Sequence, residues 1–505
     1  MITRRQLLKA SATALVLQPA FTQAQALMQN HDAHHGMDHH AMPTDTSSLM
    51  PIDKMPSQLP LRTISKLNNR SHQASRFSAT ITAEPTRITV ADRKSTEFWL
   101  YNGELPGPQI DVYEGDEIEI LFKNRLPEPT TIHWHGLPVP PDQDGNPQDP
   151  VQPGEDKYYR FTLPDNCAGT YWYHPHPHGK TAMQVARGLA GTFIVRSRHD
   201  PLAHLPEQHW MISDLRLDTS AHIPDNTAMD WMNGREGQFV LINGQLNPHI
   251  TVDAQTRIRI WNNCAARYLK LALADCQWML LGTDGGLLET AQGPFDEIFL
   301  APAERVEVML VAKSATTSTL STRYYNREKM MVDEPAVDTL LATVLITDTQ
   351  PARLPQKLRT LPRLGVPTAF KSVEFSERPM DHDQMADMSH ADLQDMFLIN
   401  GKTFMMQRID LESKQGEVEA WRVFNNSHMD HPFHLHGTQF QVTQREQNDI
   451  VTPEPFWAWR DTVNLRPYET VSFLVQQNHI GLRMFHCHIL EHEDLGMMAN
   501  LNVIA

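Results

Sequence analysis

From about residue 59 onward, hydrophobic and polar positions alternate in short runs that are broken by turn residues. Examples are Arg87-Ile88-Thr89-Val90, Glu97-Phe98-Trp99-Leu100-Tyr101, Glu117-Ile118-Glu119-Ile120-Leu121-Phe122 and Lys157-Tyr158-Tyr159-Arg160-Phe161. The same rhythm returns at Arg257–Trp261, Arg305–Leu310, Gln439–Val442 and Thr470–Val475. A period of two marks strands with one face buried, and long stretches of helical period are scarce. The spacing predicts an all-β protein built of sandwiches.

A coarse repeat overlies this pattern. Three apolar segments end in Asn-Gly, at Asn102-Gly103, Asn243-Gly244 and Asn400-Gly401. Asn-Gly tolerates the positive φ of a tight turn. The copies lie roughly 140 to 160 residues apart, which predicts three similar domains. The expected boundaries are 59–200, 201–350 and 384–505, with a Pro-rich connection over 351–383.

The N-terminal residues have a different character. Thr3-Arg4-Arg5-Gln6-Leu7-Leu8-Lys9 carries a twin arginine, followed by a mild apolar stretch to Phe21 and small residues at Ala24-Gln25-Ala26. Residues 1–26 read as a signal peptide for the twin-arginine export machinery, which delivers its cargo to the periplasm. The apolar stretch is too short to span a bilayer, and no later segment is long and uncharged enough, so no membrane span is expected. Residues 27–58 lack apolar bulk, and their early part mixes His31, His34, His35, His39 and His40 with Met28, Met37 and Met42. This predicts a flexible lead-in that either captures copper loosely or is only a solvated linker.

Composition narrows the function. The net charge of -16 argues against nucleic acid as a partner. An acidic surface attracts cations, or simply maintains solubility. The chain has 26 His and 24 Met but only 4 Cys. Imidazole and thioether together suit both oxidation states of copper.

His-x-His is the recurring chemical unit, at His133/His135, His174/His176, His434/His436 and His486/His488. On a strand, residues two apart share a face, so each pair offers two imidazoles to one place. Chance predicts about one such pair for this histidine content. Eight imidazoles suit three metal ions, as two, three and three. Cys487 sits inside the last pair, with His492 and Met497 following and His431 upstream. One thiolate, two imidazoles and a thioether make a blue-copper electron-transfer site. His486 and His488 flank Cys487 but project to the opposite face, so an electron at Cys487 has a short bonded path to the ions that they bind. Three coppers plus the blue one store four electrons, the number that takes O2 to two waters.

The segments Thr131–Gly136, Tyr173–Lys180, His431–Gly437 and Phe485–Met498 resemble the four copper motifs of multicopper oxidases, and most closely those of the periplasmic cuprous oxidases within that family. The resemblance covers essentially the whole mature chain and implies three cupredoxin-like Greek-key β-sandwich domains. It implies four copper ions. His431, Cys487, His492 and an axial Met497 hold the type 1 copper, His133 and His434 the type 2 copper, and His135, His174, His176, His436, His486 and His488 the type 3 pair. The cluster then lies between the first and third domains. By the same resemblance Asp144 and Glu493 relay protons to oxygen, the alternative being that each only orients a ligand. His178 has no counterpart among the ligands and reads as structural. O2 is the expected acceptor, with Cu(I) or small phenols as reductants, possible additional substrate copper, and a monomeric state.

In the cuprous oxidases a Met-rich insert covers the type 1 site and receives Cu(I). Here the corresponding segment is shorter and carries Met380, Asp381, His382, Met385, Met388, His390, Met396, Met405 and Met406. Thioethers suit Cu(I), although a Met-bearing helix packed on the barrel would look the same. Met429 matches the family's substrate-copper Met, but Ser427 stands where the family has Asp. The expected substrate-copper residues are Met429 and Met380 first, then Asp381, Met385 and Met388. Cys264 and Cys276 could pair in an oxidising compartment. Two other readings stay open: a laccase-type oxidase of phenols, and a non-catalytic copper-binding cupredoxin scaffold such as the cell-division relatives of this family. The full set of twelve ligands speaks against the scaffold.

Overall fold

The structure, a computed structural model, describes residues 48–378 and 390–505. Its strands fall into three pairs of sheets that follow one another along the chain. The first pair joins a four-stranded sheet (Arg76–Ala91, Lys94–Tyr101, Glu117–Asn124, Asp156–Thr162) to a three-stranded one (Gly107–Tyr113, Gly169–Tyr173, Gly191–Arg196). Seven- and five-stranded sheets follow, drawn from Glu207–Leu215 through Thr339–Ile346. Six- and five-stranded sheets close the chain, from Ala369–Glu377 through Met498–Ile504. This is the all-β fold expected, three Greek-key sandwiches of cupredoxin type.

The Asn-Gly repeat marks the same joint three times. The strand before each Asn-Gly pairs antiparallel with the first strand of its sandwich, as Lys94–Tyr101 does with Arg76–Ala91, Phe239–Ile242 with Glu207–Leu215, and Phe397–Ile399 with Ala369–Glu377. On its other side that first strand pairs parallel with Glu117–Asn124, Arg257–Asn262 or Val418–Asn426. Asn102, Asn243 and Asn400 have φ of 53°, 51° and 52°, and the following glycines 70°, 75° and 69°. Two successive positive φ values reverse the chain tightly. Each Asn side chain then accepts an N–H from the neighbouring first strand: Thr82 at 2.7 Å, Met211 at 2.8 Å and Glu374 at 2.8 Å. The dipeptide thus combines backbone permissiveness with a hydrogen-bond hook.

Alternation fills the cores. Arg76–Ala91 buries every second residue over its first half, and Phe77, Ile81, Ile118, Ile120, Trp134, Tyr159 and Phe193 meet between the first two sheets. Trp210, Ile258, Ile260, Trp278 and Val308 do the same in the middle sandwich. In the last, Phe433, Phe440, Phe473, Phe485 and Trp421 form an aromatic cluster beneath the strand that carries His431 and His434.

Three expectations need correction. The stretch 351–383 is not all connection, because Ala369–Glu377 is a strand whose Val373 and Phe375 are fully buried. The prolines before it hid its short alternation. The lead-in read over 27–58 ends earlier, since Leu49 bridges Asp218 while Met50 and Met55 bury their side chains beside Phe98 and Leu100. Residues 1–47, with the expected signal peptide and His/Met tract, lie outside the described residues. Finally, Cys264 and Cys276 do not pair; all four cysteines are free and buried. The strand Arg305–Ala312 lies between the strand preceding Cys264 and the one that Cys276 opens. Two strand spacings are about 10 Å, beyond the reach of a disulfide. Among the described residues no helix is long and apolar enough to cross a membrane.

Candidate metal centre

The four His-x-His motifs sit where strands end. His434 lies on His431–Leu435 and His486 on Gly481–Cys487, with His436 and His488 just beyond those strands. The two strands pair antiparallel with Phe433 opposite Cys487 and His434 opposite His486. His133 and His174 form an isolated bridge and exchange backbone hydrogen bonds of 2.8 and 3.2 Å. Residues from both ends of the chain therefore converge at strand termini, where backbone no longer committed to a ladder can turn ring planes inward.

All eight imidazoles are fully buried. Their ligand atoms group as His135/His174/His488, as His176/His436/His486, and as His133 and His434 with His135 near them. The ring nitrogens face one another without a protein group between: His133 Nε2 to His434 Nε2 at 3.4 Å, His135 Nδ1 to His174 Nε2 at 3.4 Å, His176 Nε2 to His486 Nε2 at 3.2 Å and His436 Nε2 to His486 Nε2 at 3.0 Å. The outward nitrogens of His133, His174, His434 and His486 are tied down. His133 Nδ1 faces Asp144 O at 3.0 Å, His174 Nδ1 Pro175 O at 2.9 Å, His434 Nδ1 Asp461 O at 2.8 Å and His486 Nδ1 Cys487 O at 2.9 Å. A hydrogen bond at one nitrogen fixes the tautomer and leaves the other bare for a metal.

A second set lies one residue away. His431 Nδ1 is 3.4 Å and His492 Nδ1 3.9 Å from Cys487 Sγ, with the two nitrogens 3.3 Å apart. His492 comes from the helix Leu490–Asp494. Past that helix the chain returns, and Met497 O accepts the Cys487 N–H at 3.0 Å. Met497 is fully buried. Phe397 stacks on His492 with ring centroids 3.8 Å apart and an 18° interplanar angle.

These donors fit copper. His488 has both ring nitrogens buried without a hydrogen-bond partner, a costly arrangement unless a cation takes a lone pair. Burial, then neighbouring imidazoles, holds His135, His174, His176, His434, His436 and His488 well below the usual histidine range, and burial puts His486 at about 3. They are neutral imidazoles at physiological pH, able to offer a lone pair to a metal ion. Burial pushes the Cys487 thiol well up, so a thiolate here needs a metal cation beside it.

Carboxylates line both sides of the cluster. Asp144 closes the short turn Pro141–Gln143 and points one oxygen at His133 Nδ1 (3.2 Å) and the other at His436 Nδ1 (3.4 Å). Glu493 lies 3.5 Å from His176 Nε2 and 3.2 Å from His486 Nδ1. Burial raises the Glu493 pKa, helped by Asp494.

Three further groups escaped sequence reasoning. Asp461 Oδ1 lies 3.0 Å from His135 Nε2. Asp494 accepts the N–H groups of Thr181 and Ala182 beside Glu493. Glu377 lies 3.2 Å from His431 Nε2. Asp461 and Glu377 belong to no histidine motif, so no spacing pointed to them, and Asp494 lies within the last motif but next to the Glu493 that took its proton-relay role. Met429 is buried, only 2% exposed. Met380, Asp381, Met385 and Met388 lie outside the described residues. His178 packs its ring against Phe404, away from the cluster.

The chain matches two family models described as multicopper oxidase, over residues 82–200 and 376–505. A multicopper oxidase of Staphylococcus haemolyticus is 31% identical over 82% of this chain and 87% of that protein. This chain belongs to the multicopper oxidase family. It is therefore an oxidoreductase with copper cofactors. A solved multicopper oxidase from Campylobacter jejuni, described as a metallo-oxidase, superposes with a TM-score of 0.88 at 48% identity, covering 90% of this chain and 97% of that one. A cell division protein, FtsP of Photorhabdus laumondii, is 29% identical over 84% of this chain and 89% of its own length.

Proposed function

We propose that this multicopper oxidase couples one-electron oxidation of Cu(I) to four-electron reduction of O2 to water, in periplasmic copper detoxification after twin-arginine export. In this reading His431, Cys487, His492 and Met497 hold the type 1 copper. His133 and His434 hold the type 2 copper, and the triads His135/His174/His488 and His176/His436/His486 hold the type 3 pair. The domain limits 59–200, 201–350 and 384–505 belong to the same reading, the last sandwich now beginning near 369. The four ions supply one-electron acceptance at one end and O2 binding and reduction at the other. Cys487 links the two sets covalently through His486 and His488. Asp144 and Glu493 border the cluster on two sides, and that proximity supports a role in passing protons to oxygen as it is reduced.

The observation that carries the substrate assignment is a polar link from the surface to His431. His428 is 41% exposed at its side chain and lies 3.1 Å from Glu377, whose other oxygen is 3.2 Å from His431 Nε2. The family's Asp is Ser427 here, and Ser427 Oγ also meets His431 Nε2, at 2.9 Å. Glu377, from another strand, supplies the carboxylate that position 427 lacks. An imidazole and a carboxylate at the entrance suit a metal ion better than a phenol ring, in keeping with the metallo-oxidase description of the Campylobacter jejuni protein.

The test compares O2 consumption driven by Cu(I) and by a phenol in Glu377→Gln and His428→Ala. Loss of a charge-assisted contact of ~1.5–3 kcal/mol lowers kcat/KM for Cu(I) by roughly 10- to 100-fold, with the phenol rate little changed. Equal losses for both reductants would defeat the assignment.

A further inference from the structure

We infer that Arg305, from the middle sandwich, is a positioning residue for the histidine cluster and acts through Asp461. The middle sandwich contributes none of the eight imidazoles, yet its strand Arg305–Ala312 begins with a fully buried guanidinium aimed at the cluster. Arg305 grips both carboxylate oxygens of Asp461, Nη1 to Oδ1 at 2.7 Å and Nη2 to Oδ2 at 2.6 Å. Its Nε donates to Thr170 O (2.7 Å) and its Nη1 also to Ala303 O (2.9 Å). Asp284 braces the pair from behind, accepting Arg305 N at 2.8 Å and Asp461 N at 3.4 Å. A planar fork matched to a carboxylate leaves that carboxylate one orientation.

Asp461 passes this constraint to two ligands on different sandwiches. Its Oδ1 accepts from His135 Nε2 at 3.0 Å, which leaves Nδ1 bare, facing His174 Nε2. Its main-chain oxygen accepts from His434 Nδ1 at 2.8 Å, which leaves Nε2 bare, facing His133 Nε2. Thr462 Oγ1 adds a hydrogen bond to the same Oδ1 at 2.9 Å. His135 thus presents the nitrogen opposite to the one that His133, His174 and His434 present, and Asp461 is the group that selects it. Space for the pair is reserved by Gly136, at φ 85°, where a Cβ would lie 2.1 Å from Asp461 Oδ2 and 2.9 Å from Arg305 Nη2.

This inference rests on the eight imidazoles holding copper, and the experiment separates the two. Copper-loaded wild type, Arg305→Met, Arg305→Lys and Asp461→Asn are titrated with a chelator while cluster copper, the type 2 electron paramagnetic resonance signal and the blue absorbance of the Cys487 site are followed. Arg305→Met is expected to weaken cluster copper by ~10- to 100-fold with the blue absorbance intact, and Arg305→Lys to recover only part, since it keeps the charge but not the fork. Should Arg305→Met fail to fold, Asp461→Asn carries the test, because it is isosteric and breaks the same grip. Unchanged cluster affinity with an unchanged type 2 signal overturns the inference, as does parallel loss of blue and cluster copper, which marks a merely structural role. A wild type that holds no cluster copper defeats the four-copper reading itself.

Discussion

Asp144→Asn separates a proton-moving carboxylate from one that only orients ligands. The side chain is fully buried, with its oxygens 3.2 Å from His133 Nδ1 and 3.4 Å from His436 Nδ1, and neither oxygen makes a directed hydrogen bond. His133 does not need that carboxylate for its orientation, because the Asp144 main-chain oxygen already takes His133 Nδ1 at 3.0 Å. That backbone is rigidly set: Gly145 has φ 73°, and a Cβ there would lie 1.9 Å from Ile132 O. An Asn keeps the shape, so an orienting role loses at most the His436 contact. Such a loss is ~1.5–3 kcal/mol, seen as roughly 10- to 100-fold weaker cluster copper. A proton-transfer role loses ~10²- to 10⁴-fold in turnover with copper retained. The second outcome is expected. O2 consumption should fall by the same factor with Cu(I) and with a phenol, because the affected step follows electron entry, while chelator titration and the blue absorbance match wild type. Copper loss in proportion to activity loss would refute the reasoning, and so would turnover within about threefold of wild type.

Two other outcomes follow from the same surroundings. Burial raises the Asp494 pKa to about 8 from 3.8. Between those values the folded protein keeps a proton that the unfolded chain has released, so stability falls as pH rises through the window. The metal-free wild type should therefore lose more Tm between about pH 5 and about pH 8 than Asp494→Asn does, and parallel Tm curves would contradict this. Phe397→Ala removes a fully buried ring stacked on His492 and should cost ~3–5 kcal/mol in thermal unfolding. The drop in Tm should be larger with copper bound than without it if the ring orients His492; equal drops would show packing alone.

What the sequence made legible was local. Alternation revealed the strands, Asn-Gly revealed the threefold repeat, and His-x-His with Cys487 revealed the side chains that gather at the candidate metal centre, because each signal lies within a few residues. The convergence of those motifs was also foreseeable, since eight imidazoles of one chemical kind need one destination. The assumption that each pair lies on a strand was less accurate. His436 and His488 fall just past strand ends, and His133 and His174 meet at a single bridge. What stayed hidden was whatever depends on register between distant segments. Glu377 reaches His431 because Ala369–Glu377 runs parallel to Val418–Asn426, and no local pattern encodes that approach. The substitution at Ser427 was visible, but its replacement from a different strand was not.

The same distinction explains the middle sandwich. Read for metal-binding motifs, residues 201–350 are silent, because every His-x-His pair lies before or after them. Arg305 belongs to that silent part, and nothing about an Arg opening the run Arg305-Val306-Glu307-Val308 distinguishes it from Arg257 or Arg259. Those two also point inward, onto the buried Glu307, at Arg257 Nε to Oε2 2.8 Å and Arg259 Nη1 to Oε1 2.6 Å. Arg259 further meets Thr170 Oγ1 and Arg305 donates to Thr170 O, so both guanidiniums reach the first sandwich at the same residue. A buried guanidinium is expensive unless its partner is fixed. Here Glu307 and Asp461 are those partners, and only Asp461 faces histidines. The middle sandwich thus anchors the first through one carboxylate and reaches the cluster through the other. Its silence in the motif pattern reflects where Arg305 sits, one residue behind the clustered histidines rather than among them.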